Sequence, residues 1–216
     1  MVSFTNQLAN LVVGTILDHQ TARKRAAAIE HWISIAQESS NLRNYDGLTA
    51  LLSGIGHSAI VRLRRTWSLV SPKRESTLRT LQMLINPSHN HKSLRTLLNT
   101  HDAPCLPFLG LYLTDLAFVD MASYPLMKKP LDLGSKAAPE HRFINFTKYS
   151  RTAKIVRQLQ RFQMPCELTM YPRLQQWLAL KISQLSKPIA RAAEHNGIVA
   201  AHAQLSEHRD ARLLSA

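Results

Sequence analysis

The sequence has little of what would indicate a metalloprotein or a hydrolase. It contains only two cysteines, Cys105 and Cys166, which lie far apart and do not have the spacing of metal ligands. Its ten histidines are scattered and form neither H-x-x-x-H nor H-E-x-x-H. Seven glycines form no phosphate-binding loop, and G-x-S-x-G is absent. We therefore expect no metal, no cofactor and no covalent catalysis.

Long hydrophobic runs are also missing. No apolar segment reaches the roughly 18 residues that a membrane span requires. Residues 1–10 lack the basic and apolar regions of a signal peptide. Together with the low cysteine content, this predicts a cytoplasmic protein without a transmembrane segment.

Acidic residues are few. The chain has 14 Asp and Glu against 27 Lys and Arg, which gives a net charge of +13. Such a charge favours an acidic partner, which could be nucleic acid, an anionic membrane or an acidic protein surface. Charge alone does not choose among the three.

What the sequence does contain is a series of helical patterns. A chain of 216 residues that is 45% hydrophobic is long enough for one domain with a sizeable core. Apolar residues recur at helical spacing in several segments, and we expect Thr21, Asn44 and Ser88 to cap or begin helices. The segments are 8–16, 26–36, 48–55, 78–85, 149–159 and 174–182.

The organising segment is 103–116. Pro104 and Pro107 cannot lie inside a helix, so they set how the chain leads into the apolar helix that follows. The hydrophilic side chains between Pro107 and Val119 are Tyr112, Thr114 and Asp115.

This segment reads P-C-L-P-F-L-G-L-Y-L-T-D-L and closely resembles the P-C-[VIL]-P-F-L-G-x-Y-L-T-D-L motif of Ras guanine-nucleotide exchange factor (RasGEF) catalytic domains. Further segments resemble the same family in the same order. They are 4–17, 25–36, 42–47, 60–67, 87–95, 143–148 and 162–168.

The resemblance implies an all-α fold, a helical bowl from which a helical hairpin protrudes. We expect residues 1–187 to form this RasGEF-like domain, lacking its N-terminal part, and 188–216 to be a peripheral helix or a disordered tail. The first hairpin helix should run from about Leu111 to Ser123, and the second should extend from Phe143 to Arg161. The segment from Tyr124 to Glu140 should be a loop.

The resemblance also implies function. Such a domain promotes GDP release from a Ras-family small GTPase (Ras, Rap or Ral): the hairpin displaces switch I and the bowl grips switch II, without covalent chemistry. The residues that match the acting part of the hairpin are Thr114, Asp115, Ala117, Phe118 and Met121. The residues expected to bind the GTPase are Arg62, Leu63, Asn90, His91, Phe108, Tyr112, Asn145, Lys148 and Arg151.

Two departures keep alternatives open. Met121 stands where the family has an acidic residue able to compete for Mg²⁺, and His91 replaces an aromatic residue that packs against the GTPase. One alternative is an exchange-deficient protein that still binds a GTPase. The other is a basic helical module for nucleic acid or membrane.

The basic stretch after Phe143 bears on the partner. Lys154, Arg157 and Arg161 share a helix face without balancing acids, and we expect this face to meet a ligand. An acidic GTPase or the inner face of the plasma membrane would fit it, and no specific nucleic acid is expected.

Overall fold

The computed structural model describes residues 2–101, 103–122, 126–129, 141–165 and 168–185. In this part of the chain, helices form the body of the protein, which confirms the predicted helical fold. The helices are α1 (Val2–Leu17), α2 (Ala22–Asn41), α3 (Tyr45–Ile55), α4 (Ser58–Val61), α5 (Arg64–Trp67), α6 (Pro72–Ile85), α7 (Ser88–Thr100), α8 (Leu109–Ala122), α9 (Phe146–Gln160) and α10 (Pro172–Leu185). Strands β1 (Leu126–Lys129) and β2 (His141–Ile144) pair antiparallel between α8 and α9, with Leu126 opposite Ile144.

The core centres on α1, α2 and α3. Val12, Ile29 and Leu48 are completely buried there, and each such side chain contributes roughly 1.5–3 kcal/mol of hydrophobic stabilisation. Gly54 lets α1 approach α3 closely, because a Cβ at this position would lie 2.7 Å from the carbonyl oxygen of Ala9. Any larger residue would push the two helices apart.

Two of the predicted helix caps are confirmed and one is wrong. The hydroxyl of Thr21 accepts from the backbone N–H of Lys24 at 3.4 Å, and Oδ1 of Asn44 accepts from that of Gly47 at 2.8 Å. Ser88 does not cap α7: its own N–H donates to Oδ1 of Asn86 at 2.8 Å. The reason is that the next residues leave the right-handed helical conformation, so the hydroxyl has no regular first turn to cap.

A buried arginine joins the start of α2 to α5. Arg25 is fully buried, and its Nε donates to Oγ1 of Thr66 at 3.2 Å. Its Nη1 donates to the carbonyl oxygens of His19 and Gln20, at 3.0 and 3.2 Å. These partners satisfy a charge that would otherwise be costly to bury.

The start of α8 is fastened to the turn between α2 and α3. The N–H of Tyr45 donates to the carbonyl of Leu106 at 2.8 Å, and the N–H of Leu106 donates to the carbonyl of Arg43 at 3.0 Å. Asp46 is buried, and its carboxylate accepts from the Leu109 N–H at 3.3 Å and from the Thr5 hydroxyl at 2.8 Å. The two prolines are thus followed by a firmly anchored helix start.

The region between α8 and α9 differs from the prediction. β1 occupies part of the expected loop, while residues 124–125 and 130–140 of that loop, and Ser123, the expected end of the first hairpin helix, lie outside the described residues. The second helix begins at Phe146 and not at Phe143, because His141–Ile144 pair with β1 and Asn145 caps the helix. Phe143 and Ile144 therefore belong to a strand, although the sequence pattern had placed them in the helix.

Two further expectations concern the ends of the domain. The predicted boundary at 187 and the tail 188–216 lie outside the described residues. Among the residues that are described, every helix is too short or too polar to cross a membrane.

Candidate functional site

Four of the predicted hairpin residues share one exposed side of α8. Thr114, Ala117, Phe118 and Met121 follow helical spacing, and all four are exposed. Phe118 is 63% and Met121 84% accessible, so this side of the helix presents two large apolar side chains to solvent. We call these four residues the outer face of α8.

Asp115, the fifth predicted hairpin residue, lies on a different side of the helix. Both of its carboxylate oxygens accept from Arg95 of α7: Oδ2 from Nη1 at 2.8 Å and Oδ1 from Nη2 at 2.9 Å. Because this bidentate pair occupies the carboxylate, Asp115 connects two helices and is not part of the outer face.

The same arginine holds the first turn of α7. Its Nε donates to the carbonyl of Asn90 at 2.8 Å and its Nη2 donates to Oδ1 of Asn90 at 3.1 Å. His89, Asn90 and His91 have φ values of 53°, 56° and 55°, in the left-handed region that residues other than glycine rarely adopt. The Arg95 contacts therefore stabilise a turn that is unfavourable by itself.

Phe108 contacts this turn through His91. The two ring centroids are 5.9 Å apart, with the ring planes inclined by 59°. Phe108 is half-buried against the core, and Nδ1 of His91 lies 3.1 Å from the carbonyl oxygen of Ile85, which makes Nδ1 the protonated nitrogen. The structure thus brings together four predicted residues. They are Asn90, His91, Phe108 and Asp115.

Helix α9 packs along α8 and supports it with one ion pair. Nζ of Lys148 lies 2.6 Å from Oδ1 of Asp120. Oδ1 of Asn145 accepts from the N–H of Lys148 at 3.2 Å and so caps α9. Arg151, one turn further on, is exposed. Of these three predicted residues, Lys148 thus contacts α8, Asn145 caps α9 and Arg151 faces solvent.

Of three other predicted residues, two are buried and the third bonds within its own turn. Leu63 is fully buried and Tyr112 is 6% accessible, so both belong to the core and not to a docking surface. Burial also raises the pKa of the Tyr112 phenol, which stays neutral. Arg62 is exposed, but its Nε donates to the Ser58 carbonyl within its own turn, at 3.1 Å.

The expected basic ligand face of α9 includes one residue that has another role. Nη2 of Arg161 donates to the carbonyl of Leu98 at 2.6 Å and to that of His101 at 3.0 Å. Its guanidinium also lies 4.9 Å from the ring centre of Phe162. The ligand-facing interpretation is therefore wrong for Arg161, because its Nη2 binds the carbonyls at the C-terminal end of α7.

The chemistry available at the outer face is steric and apolar. The two acids of α8, Asp115 and Asp120, are both in ion pairs. Within the described ranges, no group of three His, Cys, Asp or Glu side chains is close enough to hold a metal ion. This arrangement can displace or hold a protein segment but offers no free carboxylate on the outer face.

The residues that hold the site together were not predicted from the sequence. Arg95 was part of a recognised motif, but its role as the link between Asn90 and Asp115 was not predicted. A signal was present, since Asp115 is a lone acid in an apolar stretch and a buried or half-buried acid usually has a cationic partner. The exposed rings of Phe146 and Tyr149 on α9 were also missed as surface groups.

Comparison with known proteins gives consistent matches. Residues 1–150 match the RasGEF domain family. Over 174 residues, the chain is 32% identical to Ras-specific guanine nucleotide-releasing factor 2 of Danio rerio and 34% identical to Ras-specific guanine nucleotide-releasing factor 1 of Rattus norvegicus. Each alignment covers 80% of this chain and 13% of the relative. Guanine nucleotide exchange factor SDC25 of Saccharomyces cerevisiae (strain YJM789) is 35% identical over 164 residues, which is 75% of this chain and 13% of that protein.

Proposed function

Because this chain belongs to the RasGEF domain family, we propose that it is a guanine-nucleotide exchange factor for a Ras-family small GTPase. The observation that carries the proposal is the outer face of α8. It presents Phe118 and Met121 to solvent on a helix whose start is anchored and whose flank is braced by α9. Exposed apolar groups on a supported helix are suited to inserting into another protein.

Exchange of this kind requires no bond to form or break in the exchange factor. A GTPase holds its nucleotide through a phosphate-binding loop, Mg²⁺ and the switch segments. A protein that binds the nucleotide-free form more tightly than the loaded form must weaken nucleotide binding by the same factor. The task of the exchange factor is therefore selective binding, for which surface shape is sufficient.

We assign the binding of switch II and the displacement of switch I to two adjacent surfaces. The cluster around Phe108, His91 and Asn90 would bind switch II, since it combines a half-buried ring with polar groups in a fixed turn. The outer face of α8 would displace switch I by steric contact. The packing of α9 along α8 would support α8 against that contact, while the Lys148–Asp120 pair, with Asp120 77% accessible, adds little.

Nucleotide release provides the test. The chain should accelerate release of fluorescent GDP from at least one of Ras, Rap and Ral, because all three fit the proposed partner class. Met121→Ala should reduce this acceleration, whereas Met83→Ala should not, since Met83 is 70% accessible but lies on α6. If the two substitutions had equal effects, the role of the outer face of α8 in nucleotide release would be wrong.

A second candidate function is GTPase binding without exchange. It is favoured by the absence of a free acid on the outer face, where Met121 cannot reproduce the charge of a carboxylate. Under this alternative, the chain would bind the nucleotide-free and nucleotide-loaded GTPase equally well and leave the release rate unchanged. The release assay therefore separates the two functions directly.

Recruitment to an anionic membrane is a further part of the proposal. Arg151, Lys154 and Arg157 are exposed along α9, a helix that contains no acidic residue. Binding of the chain to phosphatidylserine vesicles should fall steeply as salt rises if these cations are used. The alternative of a nucleic-acid-binding module predicts a similar salt dependence but no effect of any GTPase.

A further inference from the structure

We propose that Arg95 is a positioning residue for nucleotide exchange, one that sets the outer face of α8 relative to the Phe108 cluster. This inference rests on the proposed exchange function. It concerns a residue that would touch neither nucleotide nor GTPase, and it follows from the contacts of its guanidinium.

The guanidinium of Arg95 makes four hydrogen bonds to two residues. Two reach Asp115 of α8, at 2.8 and 2.9 Å, and two reach the carbonyl and side chain of Asn90, at 2.8 and 3.1 Å. Only the planar fork of an arginine can bond both partners at once. Arg95 therefore couples the turn that carries Asn90 and His91 to the helix that carries the outer face.

On the Asn90 side, the coupling maintains an unfavourable conformation. Three consecutive residues, none of them glycine, have positive φ. Such backbone persists only where the surrounding contacts fix it. With Arg95 removed, the turn should be held less firmly, whereas the Phe108 ring should keep its own packing against the core.

On the α8 side, the Arg95–Asp115 pair lies at the point where the helix changes from buried to exposed. Leu111 and Tyr112 are buried in the helix, whereas the residues beyond Asp115 are half-buried or exposed. Helix α9 braces that outer portion, but none of its 15 residues is fully buried. The Arg95–Asp115 pair is therefore placed to fix the direction in which the outer portion of α8 points.

The environment of the pair makes it stronger than an ordinary surface ion pair. The side chains of Arg95 and Asp115 are 27% and 20% accessible, and their contact is bidentate. The pair between Arg79 and Glu75 is a useful contrast, with one contact of 3.4 Å and side chains that are 76% and 35% accessible. Exposed pairs of that kind contribute little to stability.

The expected kinetic signature is a loss of maximal rate more than of affinity. Phe108 keeps its place against the core without Arg95, so the chain should still bind the GTPase. The outer face would no longer be held at one angle, so a smaller fraction of bound complexes would release nucleotide. A structural residue that only maintains the fold would lower both quantities together with helicity.

The experiment compares Arg95→Ala, Arg95→Lys, Asp115→Asn and the Arg95→Ala/Asp115→Asn double variant with the control Arg79→Ala. Release of fluorescent GDP is measured over a range of exchange-factor concentrations on the GTPase that the wild-type chain serves best. Helicity and thermal melting are recorded for every variant.

We expect Arg95→Ala to lower the maximal release rate about tenfold while the half-saturating concentration changes less than about threefold, since one bidentate charged pair is lost. Arg95→Lys should restore part of the rate, because an ammonium group pairs with Asp115 but cannot also bridge to Asn90. The double variant should be no slower than Arg95→Ala, because both changes break one link. Arg79→Ala should match the wild type.

Three outcomes would overturn the inference. If a folded Arg95→Lys or Arg95→Ala variant keeps the full maximal rate, the positioning role is wrong while the exchange function stands. If every Arg95 variant loses rate only in proportion to lost helicity, Arg95 maintains the fold and does not position α8. If the wild-type chain accelerates release from none of Ras, Rap and Ral, the exchange function fails and the inference fails with it.

Discussion

The ring of Phe108 lies directly against Gly110, so that a Cβ on Gly110 would come within 2.8 Å of the ring carbon Cε2 and 3.0 Å of Cε1. The ring is the end of a side chain and can rotate, whereas the backbone of α8 is anchored. Gly110→Ala should therefore displace the Phe108 ring from His91 without unfolding the helix, which alanine favours by up to about 1 kcal/mol over glycine. We expect the affinity for a nucleotide-free GTPase to fall about tenfold while the melting temperature stays the same or rises. Unchanged affinity would mean that the orientation of this ring does not matter for binding.

Removal of the Phe108 ring tests the same surface more severely. Phe108→Ala should abolish detectable GTPase binding, since a half-buried aromatic anchor typically dominates an interface. Helicity should remain, because the ring lies before α8 and not within it. Circular dichroism and a binding assay would be read together, with Met83→Ala as the control for an exposed apolar side chain lost elsewhere. A variant that binds normally would exclude Phe108 from the interface.

Met121 offers a way to separate charge from shape on the outer face. Met121→Glu adds the carboxylate that the face lacks, at a position 84% accessible to solvent. If competition for Mg²⁺ contributes to exchange, release should become faster, and the gain should shrink as Mg²⁺ is raised. Met121→Gln is the neutral control of nearly the same size. Equal rates for the two variants would show that steric displacement alone sets the rate.

The helices could be predicted because their signals are local. Asn44 caps α3 as expected, and the apolar spacing of 48–55 correctly gave a buried helix. The left-handed turn at His89–His91 could not be predicted, because it is held by Arg95 and His91 contacts that depend on the tertiary fold. β2 was missed for a similar reason, since its pairing with β1 joins residues separated by more than ten positions. Of the candidate site, the sequence motifs named Asn90, His91, Phe108 and Asp115, which the fold brings together, but burial alone shows that Leu63 and Tyr112 face inward.

Glu30 predicts a pH dependence of stability. The backbone N–H of Ser71 donates to its carboxylate at 2.7 Å and, as the main cause, lowers the pKa of Glu30 below the ordinary 4.5. Because the unfolded chain then binds more protons, this contribution is present above about pH 4.5 and is lost as pH falls through the lower folded pKa. Glu30→Gln should be less stable than the wild type at pH 7, and the difference should shrink as the pH falls below about 4.5. Urea unfolding at several pH values measures it, and a difference independent of pH would contradict the assignment.

Loss of the Arg161 side chain should lower the stability of the fold, whereas loss of the Arg157 side chain should not. Its bonds to the carbonyls of Leu98 and His101, with its contact to Phe162, should make Arg161→Ala less stable by about 1–2 kcal/mol. Arg157 is exposed one turn earlier on the same helix, and Arg157→Ala should change stability by less than about 0.5 kcal/mol. Thermal melting of both variants gives the comparison. If both lose the same amount, the cause is the charge and not the capping contact.

The way α8 is attached has a consequence for how such a surface can diversify. The bridge between Asn44 and Leu106 is formed by main-chain atoms, so an ordinary side-chain replacement leaves it intact. The solvent-facing positions of α8, in turn, contribute little to the buried core. Substitution can therefore change the outward residues, where the proposed contact with a GTPase would lie, at almost no risk to folding.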